Sequence, residues 1–293
     1  MHMTRRRAIT VLSILSRARG QDNLPDLRSV PTDLLTPETT EGTPSPGKRV
    51  RQSLPAYAET NVHHTIYLPA DWRVGKRYPV IIEYAGNGNY SNQYGDVSTG
   101  EVEGSNLGFG ISAGMRFIWM CLPYVNTLEK KNQTIWWGDI DATVRYAVTA
   151  VRQVCEQYGG DPKQVIITGF SRGAIGCNYI GLHNDEIAKL WRAFIPYSHY
   201  DGVITTWPYT GADRDSAFRR LSRLQGRPVF VCQEKSVEIT RAYIKSSGVV
   251  APFTFQTIGF HNHSDSWVLR DLPERRALRK WLDEVLRHSQ VEN

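Results

Sequence analysis

Ser171 sits in the pentapeptide Gly169-Phe170-Ser171-Arg172-Gly173. A serine hydroxyl is a weak nucleophile at neutral pH. To attack an acyl carbon it needs a base to take its proton and a carboxylate to orient that base. The flanks favour such a role. Gln164 to Thr168 is a β-branched run that reads as a buried strand, and Ala174 to Leu182 is apolar at helical spacing. Strand, Gly-x-Ser-x-Gly and helix, in that order, predict a sharp turn that lifts the hydroxyl to the top of a sheet. The turn is tight enough that a Cβ at either glycine would collide with the neighbouring strand or helix.

The base should follow the last strand, predicted over Phe253–Phe260, in the loop Gly259 to Trp267. Two histidines compete there. His261 follows the strand almost at once, whereas His263 sits further out, where an imidazole can reach over Ser171; His263 is the predicted base. The orienting carboxylate should lie beyond the strand Pro228–Cys232. Glu238 falls at the expected offset and is the first choice, with Asp201 and Glu234 left open as alternatives. Glu238 would also sit well at a helix start for its dipole alone. Acyl transfer places negative charge on oxygen, so backbone N–H donors are required. Arg172, next after the serine, and Asn87, in the small-residue loop Ala85-Gly86-Asn87-Gly88, are the predicted pair. Trp136, Trp137 and Trp207 lie where aromatic faces could stack on a sugar or aryl group.

These residues need a scaffold. His63–Pro69, Val80–Tyr84, Phe117–Leu122, Trp191–Pro196 and Pro228–Cys232 read as further strands. A helix from Asp139 to Tyr158 carries apolar residues at three- and four-residue spacing, and Gly159-Gly160 ends it. Leu278, Trp281, Leu282, Val285 and Leu286 form the stripe of a closing helix. Strands separated by helices imply an α/β class, with a mostly parallel central sheet and helices on both faces. The expected organisation is one domain over residues 61–293, preceded by a proline-rich extended arm at 21–60. Residues 1–20 read as a signal segment. Met1-His2 looks like a cloning scar, Arg5-Arg6-Arg7 a positive head, Ala8–Leu15 a short apolar run, with cleavage expected before Gln21. Secretion or a periplasmic location is the expectation.

With these motifs in place, the chain resembles the α/β-hydrolase superfamily. It is closest to the dienelactone-hydrolase-like and polyhydroxybutyrate-depolymerase-like esterases. The resemblance rests on Ala-Gly-Asn-Gly at 85–88, Gly-Phe-Ser-Arg-Gly at 169–173, an acid after the following strand, and Asn-His-Ser-Asp at 262–265. It covers residues 61–289 and implies Ser171 as nucleophile, His263 as base and the Arg172 N–H as an oxyanion donor. The chain departs from the family pattern in two places. Ala85-Gly86 stands where His-Gly is usual, and Glu234 to Glu238 replaces the usual Gly-x-x-Asp.

Composition excludes several classes. The 293 residues are 41% hydrophobic, enough for one substantial core. The net charge of +6 is concentrated at Arg5–Arg19 and Arg270–Lys280, without interleaved aromatics, so no nucleic-acid partner is expected. No later segment approaches the ~18 apolar residues of a bilayer span, so stable membrane insertion is not expected. Cys121, Cys155, Cys177 and Cys232 lack Cys-x-x-Cys spacing and read as buried thiols. Asp96, Glu101 and Glu103 share a Gly-rich loop but lack calcium-ligand spacing, and no metal or cofactor is expected. The reading is a serine esterase acting on a small-molecule or polysaccharide-linked ester. Its rivals are a serine peptidase of the prolyl-oligopeptidase type and a catalytically inactive scaffold used for binding.

Overall fold

The computed structural model describes residues 24–135 and 138–288. Its strands are β1 (Thr39–Thr40), β2 (Arg49–Gln52), β3 (His64–Tyr67), β4 (Tyr78–Tyr84), β5 (Tyr90–Ser91), β6 (Val97–Ser98), β7 (Ile118–Leu122), β8 (Tyr124–Asn126), β9 (Lys131–Gln133), β10 (Gly160–Ser171), β11 (Ala193–Ser198), β12 (Val229–Glu234) and β13 (Phe253–Ile258). Nine of them form one sheet in the order β1-β2-β3-β7-β4-β10-β11-β12-β13. From β7 to β13 every neighbour is parallel, while β3 runs antiparallel to both β2 and β7. The pairs β5–β6 and β8–β9 are separate two-stranded ribbons.

The apolar runs explain the layering. Successive strand residues point to opposite faces, and both faces here are covered. Val80, Ile82, Val165 and Ile167 join one core, whereas Ile81 and Ile166 join the other. The helices are α1 (Leu107–Ser112), α2 (Ile140–Tyr158), α3 (Arg172–Tyr179), α4 (Asp185–Ala188), α5 (Arg214–Leu221), α6 (Glu238–Ser247) and α7 (Pro273–His288). The first core takes the apolar stripe of α2 (Val144, Ala147, Val151, Val154) together with Ile175 of α3. The second takes Leu278, Leu282, Val285 and Leu286 of α7 together with α1. Asp139 caps α2 by accepting from the Ala142 N–H, and Gly159, at φ 75°, closes it with its N–H on the Val154 carbonyl. The fold class matches the α/β expectation from the sequence.

The segment expected to be an extended arm is built into the sheet instead. β2 pairs with β3 from Arg49↔Tyr67 to Gln52↔His64, and β1 pairs with β2 outside it. Arg49 is 2% exposed; its guanidinium donates to the carbonyls of Val102 and Glu103 and lies 4.3 Å over the Trp119 ring. Leu27, Val50 and Leu54 are buried in the two cores. Further along, Asp33 pairs with Arg275 of α7. The prolines of this stretch break it into short pieces that borrow their hydrogen bonds from the domain.

The four cysteines are free and buried. Burial pushes the thiols of Cys121, Cys177 and Cys232 far above the ordinary range, which makes them poor nucleophiles. No helix among the described residues is long and apolar enough to cross a membrane. The segment read as a signal, residues 1–20, lies outside the described residues.

Candidate active site

Ser171 is the last residue of β10 and immediately precedes α3, with φ 53° and ψ −119°. That conformation is strained for a residue with a Cβ and is held by what surrounds it. Both flanking glycines are required by close approach. A Cβ on Gly169 would lie 2.2 Å from the Gly173 carbonyl oxygen, and one on Gly173 would lie 2.1 Å from that of Tyr84. The start of α3 therefore packs directly on the end of β4, beside the Ala85–Gly88 loop.

Parallel strands bring their carboxyl ends to one edge, and the site forms there. Ser171 is in register with Ser198, the last residue of β11, and Glu234, the last of β12, pairs with Ile258 at the end of β13. The loop after β13 returns His263 over this edge. Its Nε2 lies 3.0 Å from Ser171 Oγ and its Nδ1 lies 2.8 Å from Glu234 Oε1. A carboxylate only accepts, so Nδ1 carries the hydrogen and donates to Glu234; Nε2 is then left to accept from the Ser171 hydroxyl. Burial raises the Glu234 carboxyl, but its hydrogen bond to His263 and the histidine's charge outweigh burial and hold it below the ordinary carboxylate range. The acid beside His263 is ionised.

The sequence-based choice of acid needs correction. Glu238 opens α6, is largely exposed, and pairs with Arg241 at 3.4 Å on its own helix. The chain turns sharply at Lys235, φ 62°, so the strand's own terminal residue keeps the inward position and the residue four further on faces solvent. Asp201, the other candidate, is 2% exposed and engaged elsewhere. It accepts from Arg220 Nε at 2.7 Å, Arg220 Nη2 at 3.0 Å and the Tyr209 hydroxyl at 3.0 Å. Glu234, left open as an alternative, is the carboxylate the structure brings to His263.

Of the two histidines, His263 meets Ser171. His261 has its Nδ1 2.8 Å from the Leu24 carbonyl oxygen and its ring stacked on Tyr94 at 3.9 Å. Arg172 and Asn87 are joined: the guanidinium donates to Asn87 Oδ1 and to the Ile135 carbonyl, both at 2.6 Å. Arg172 opens α3, where the first N–H groups of a helix have no carbonyl of their own helix to bond. Trp136 and Trp137 lie outside the described residues. Trp207 stands over the Arg172 guanidinium at 5.1 Å and edge-on to His199 at 5.6 Å.

Sequence reasoning passed over several neighbours of His263. Ser198, at φ 86°, places its Oγ 3.3 Å from His263 Nδ1, as a second, weaker partner for the same hydrogen. Phe170 and Tyr90 pack their rings 4.8 Å and 5.0 Å from the imidazole, and His199 lies 5.8 Å away. Burial, then the nearby His263, hold His199 down at about 4, so it is neutral at ordinary pH. Ser198 ends β11, the strand next to β10, and His199 follows it directly, so a correct strand order was the signal that would have found them. An open cavity of about 630 Å³ lies against this edge, lined by Tyr90, Tyr94, Ser198, His199, Glu234, Lys235 and both loop histidines. Among the described residues no group of three His, Cys, Asp or Glu side chains is placed to hold a metal.

No protein-family model matches the sequence, and no curated protein matches it. Solved structures do. An esterase from the fungus Rhizomucor miehei superposes with a TM-score of 0.55 at 12% identity, over 95% of this chain and 97% of its own. A thermostable esterase gives a TM-score of 0.50 at 17% identity, over 80% of this chain and 62% of its own. The isopeptidase AtxE2 gives 0.50 at 13% identity, over 81% and 43%. The chain thus spans less than two thirds of the length of the last two. Strand order, helices on both faces and these similarities together show that the chain has the α/β-hydrolase fold.

Proposed function

We propose that the protein is a serine hydrolase that cleaves carboxylic esters through an acyl-enzyme on Ser171. One observation carries the reading: the unbroken line Ser171 Oγ, His263 Nε2, His263 Nδ1, Glu234 Oε1, with hydrogen-bond distances of 3.0 and 2.8 Å. His263 takes the hydroxyl proton as Ser171 Oγ bonds to the ester carbonyl carbon. Negative charge then develops on the carbonyl oxygen, which the N–H groups of Arg172 and Asn87 receive. Collapse of the tetrahedral intermediate breaks the bond to the alcohol oxygen, and His263 returns its proton to that leaving group. A water molecule repeats the cycle, giving His263 a proton and bonding its oxygen to the acyl carbon. The acid leaves and Ser171 recovers its proton. Glu234 stays ionised throughout and stabilises the imidazolium formed in each half.

The substrate we favour is an ester with an aryl or carbohydrate-linked group. Supporting this, the open cavity is lined by the rings of Tyr90, Tyr94 and His199, which offer aromatic surface beside the charged Glu234 and Lys235. A secreted or periplasmic location is part of the same proposal and rests on residues 1–20 alone. Fluorophosphonate labelling tests the chemistry, with the Ser171→Ala variant as control. Labelling and ester turnover that both vanish in the variant support the reading; an inert wild type indicates a binding scaffold. Peptide amides cleaved faster than acetyl, feruloyl or longer-chain esters would favour the peptidase.

A further inference from the structure

We propose that Asp96 is a positioning residue for His263, fixing the backbone of the loop that carries the imidazole. The proposal rests on the reading of Ser171 and His263 as nucleophile and base. Glu234 sets the rotation of the His263 ring, but a bond to a ring nitrogen does not determine where the backbone stands. Residues 259–264 belong to no helix or strand, so that position must come from elsewhere. Asp96 supplies it. Oδ2 accepts from the His263 backbone N–H at 2.8 Å, and Oδ1 accepts from Asn262 Nδ2 at 2.8 Å. Asn92 Nδ2 donates to Oδ2, also at 2.8 Å, and the Asp96 N–H returns to Asn92 Oδ1 at 3.1 Å, which locks the β5–β6 turn. On its other side Asn262 Oδ1 accepts from the Leu27 N–H at 2.7 Å.

The donor count requires a carboxylate at this point. Three N–H groups converge on Asp96, which is 7% exposed, and Asn262 is 2% exposed, so water cannot readily substitute. An amide in place of the Asp96 carboxylate would turn an NH₂ against the NH₂ of Asn262. Rotating Asn262 would only move the conflict to the Leu27 N–H. Exchanging the two side chains removes it. The amide oxygen, now at position 96, receives the His263 N–H and Asn92. Its NH₂ donates to the carboxylate, now at position 262, which still accepts from Leu27.

The test compares Asp96→Asn with the double exchange Asp96→Asn/Asn262→Asp. Misplacing a catalytic group by about 1 Å costs about a hundredfold in rate. We therefore expect Asp96→Asn to lower kcat about tenfold to a hundredfold with KM within about threefold, and fluorophosphonate labelling to slow in step. The exchange should recover most of that loss. In a crystal structure of Asp96→Asn the Nε2–Oγ separation should lengthen from 3.0 Å beyond hydrogen-bond reach. A single variant that fails to fold while the exchange folds and turns over supports the same role. An Asp96→Asn enzyme with unchanged kcat, or an exchange no better than the single variant, overturns it. The two proposals fail separately. A wild type inert to the probe refutes the esterase reading, while the crystallographic distance still decides on Asp96.

Discussion

Glu234 and His263 meet at 2.8 Å, and the carboxylate arrives there from the last residue of a strand rather than from the loop beyond it. The strand end is a rigid platform, so the imidazole is oriented by a group whose own backbone is held in the sheet by its pairing with Ile258. Glu234→Gln keeps the shape but removes the acceptor pair and the charge, and favours the wrong imidazole tautomer. In comparable triads the carboxylate-to-amide change costs about ten-thousandfold in kcat. The same loss is expected here, while Glu238→Gln, exposed on α6, should stay within about twofold. Steady-state turnover of a single aryl ester by both variants decides; a large loss in Glu238→Gln with Glu234→Gln near wild type would return the assignment to Glu238.

The glycines of the elbow give a second expectation. Gly173→Ala would set a Cβ 2.1 Å from a backbone oxygen, that of Tyr84, which cannot swing aside as a side-chain tip would. Overpacking of this kind costs about 1–3 kcal/mol. The strain falls on the turn that presents Ser171, so turnover should drop further than stability. Thermal unfolding and kcat measured on the same sample separate the two; an unshifted Tm with full turnover would mean that β4 and α3 stand further apart than described.

What the sequence disclosed follows the range of the interactions involved. Ser171 was legible because strand, turn and helix are local and the two glycines mark the tight approach. The parallel strands were legible because burial on both faces leaves continuous apolar runs such as Val80-Ile81-Ile82. The acid was not legible, because its identity depends on where the chain turns after β12, and Lys235 at φ 62° carries no glycine to announce it. Residues 24–60 misled for a related reason. Strands as short as Thr39–Thr40 have no periodicity of their own and exist only by pairing with a sheet built from distant sequence. Asp96 acts through bonds to residues 166 and 167 positions away, which no local pattern displays.

Asp201 contrasts with Glu234: the Glu234 carboxylate is turned to His263, whereas that of Asp201 is buried and paired with Arg220. Its two oxygens are filled by Arg220 and Tyr209, and burial raises its pKa against the lowering effect of Arg220. Breaking such a pair leaves Arg220, itself 10% exposed in its side chain, without its counter-charge. Asp201→Asn should destabilise the protein by about 3–5 kcal/mol. The folded fraction should keep its kcat within about twofold at a temperature where it is populated. Chemical denaturation followed by active-site titration checks this, and a lost kcat at full folding would put Asp201 back among the catalytic candidates.

His64 makes the stability depend on pH in a direction that can be worked out. The ring is 3% exposed, 2.8 Å from the Tyr146 hydroxyl, and burial, followed by the charge of His63, lowers it from 6.5 to about 3. Folded, it stays neutral; unfolded, it takes a proton near its ordinary value. Between those two pH values the unfolded chain binds more protons, so the contribution is complete above 6.5 and drains away as pH falls toward 3. Buried Glu83 and Asp265, raised to about 7 and about 6, slope the opposite way, so the whole-protein profile mixes the two. A comparison at one position removes them. His64→Asn keeps a partner for Tyr146 but cannot titrate. It should be less stable than wild type at about pH 7, and the gap should narrow or reverse by about pH 4. Urea midpoints at the two pH values measure it, and a gap that stays constant would mean that His64 titrates alike in the folded and the unfolded chain.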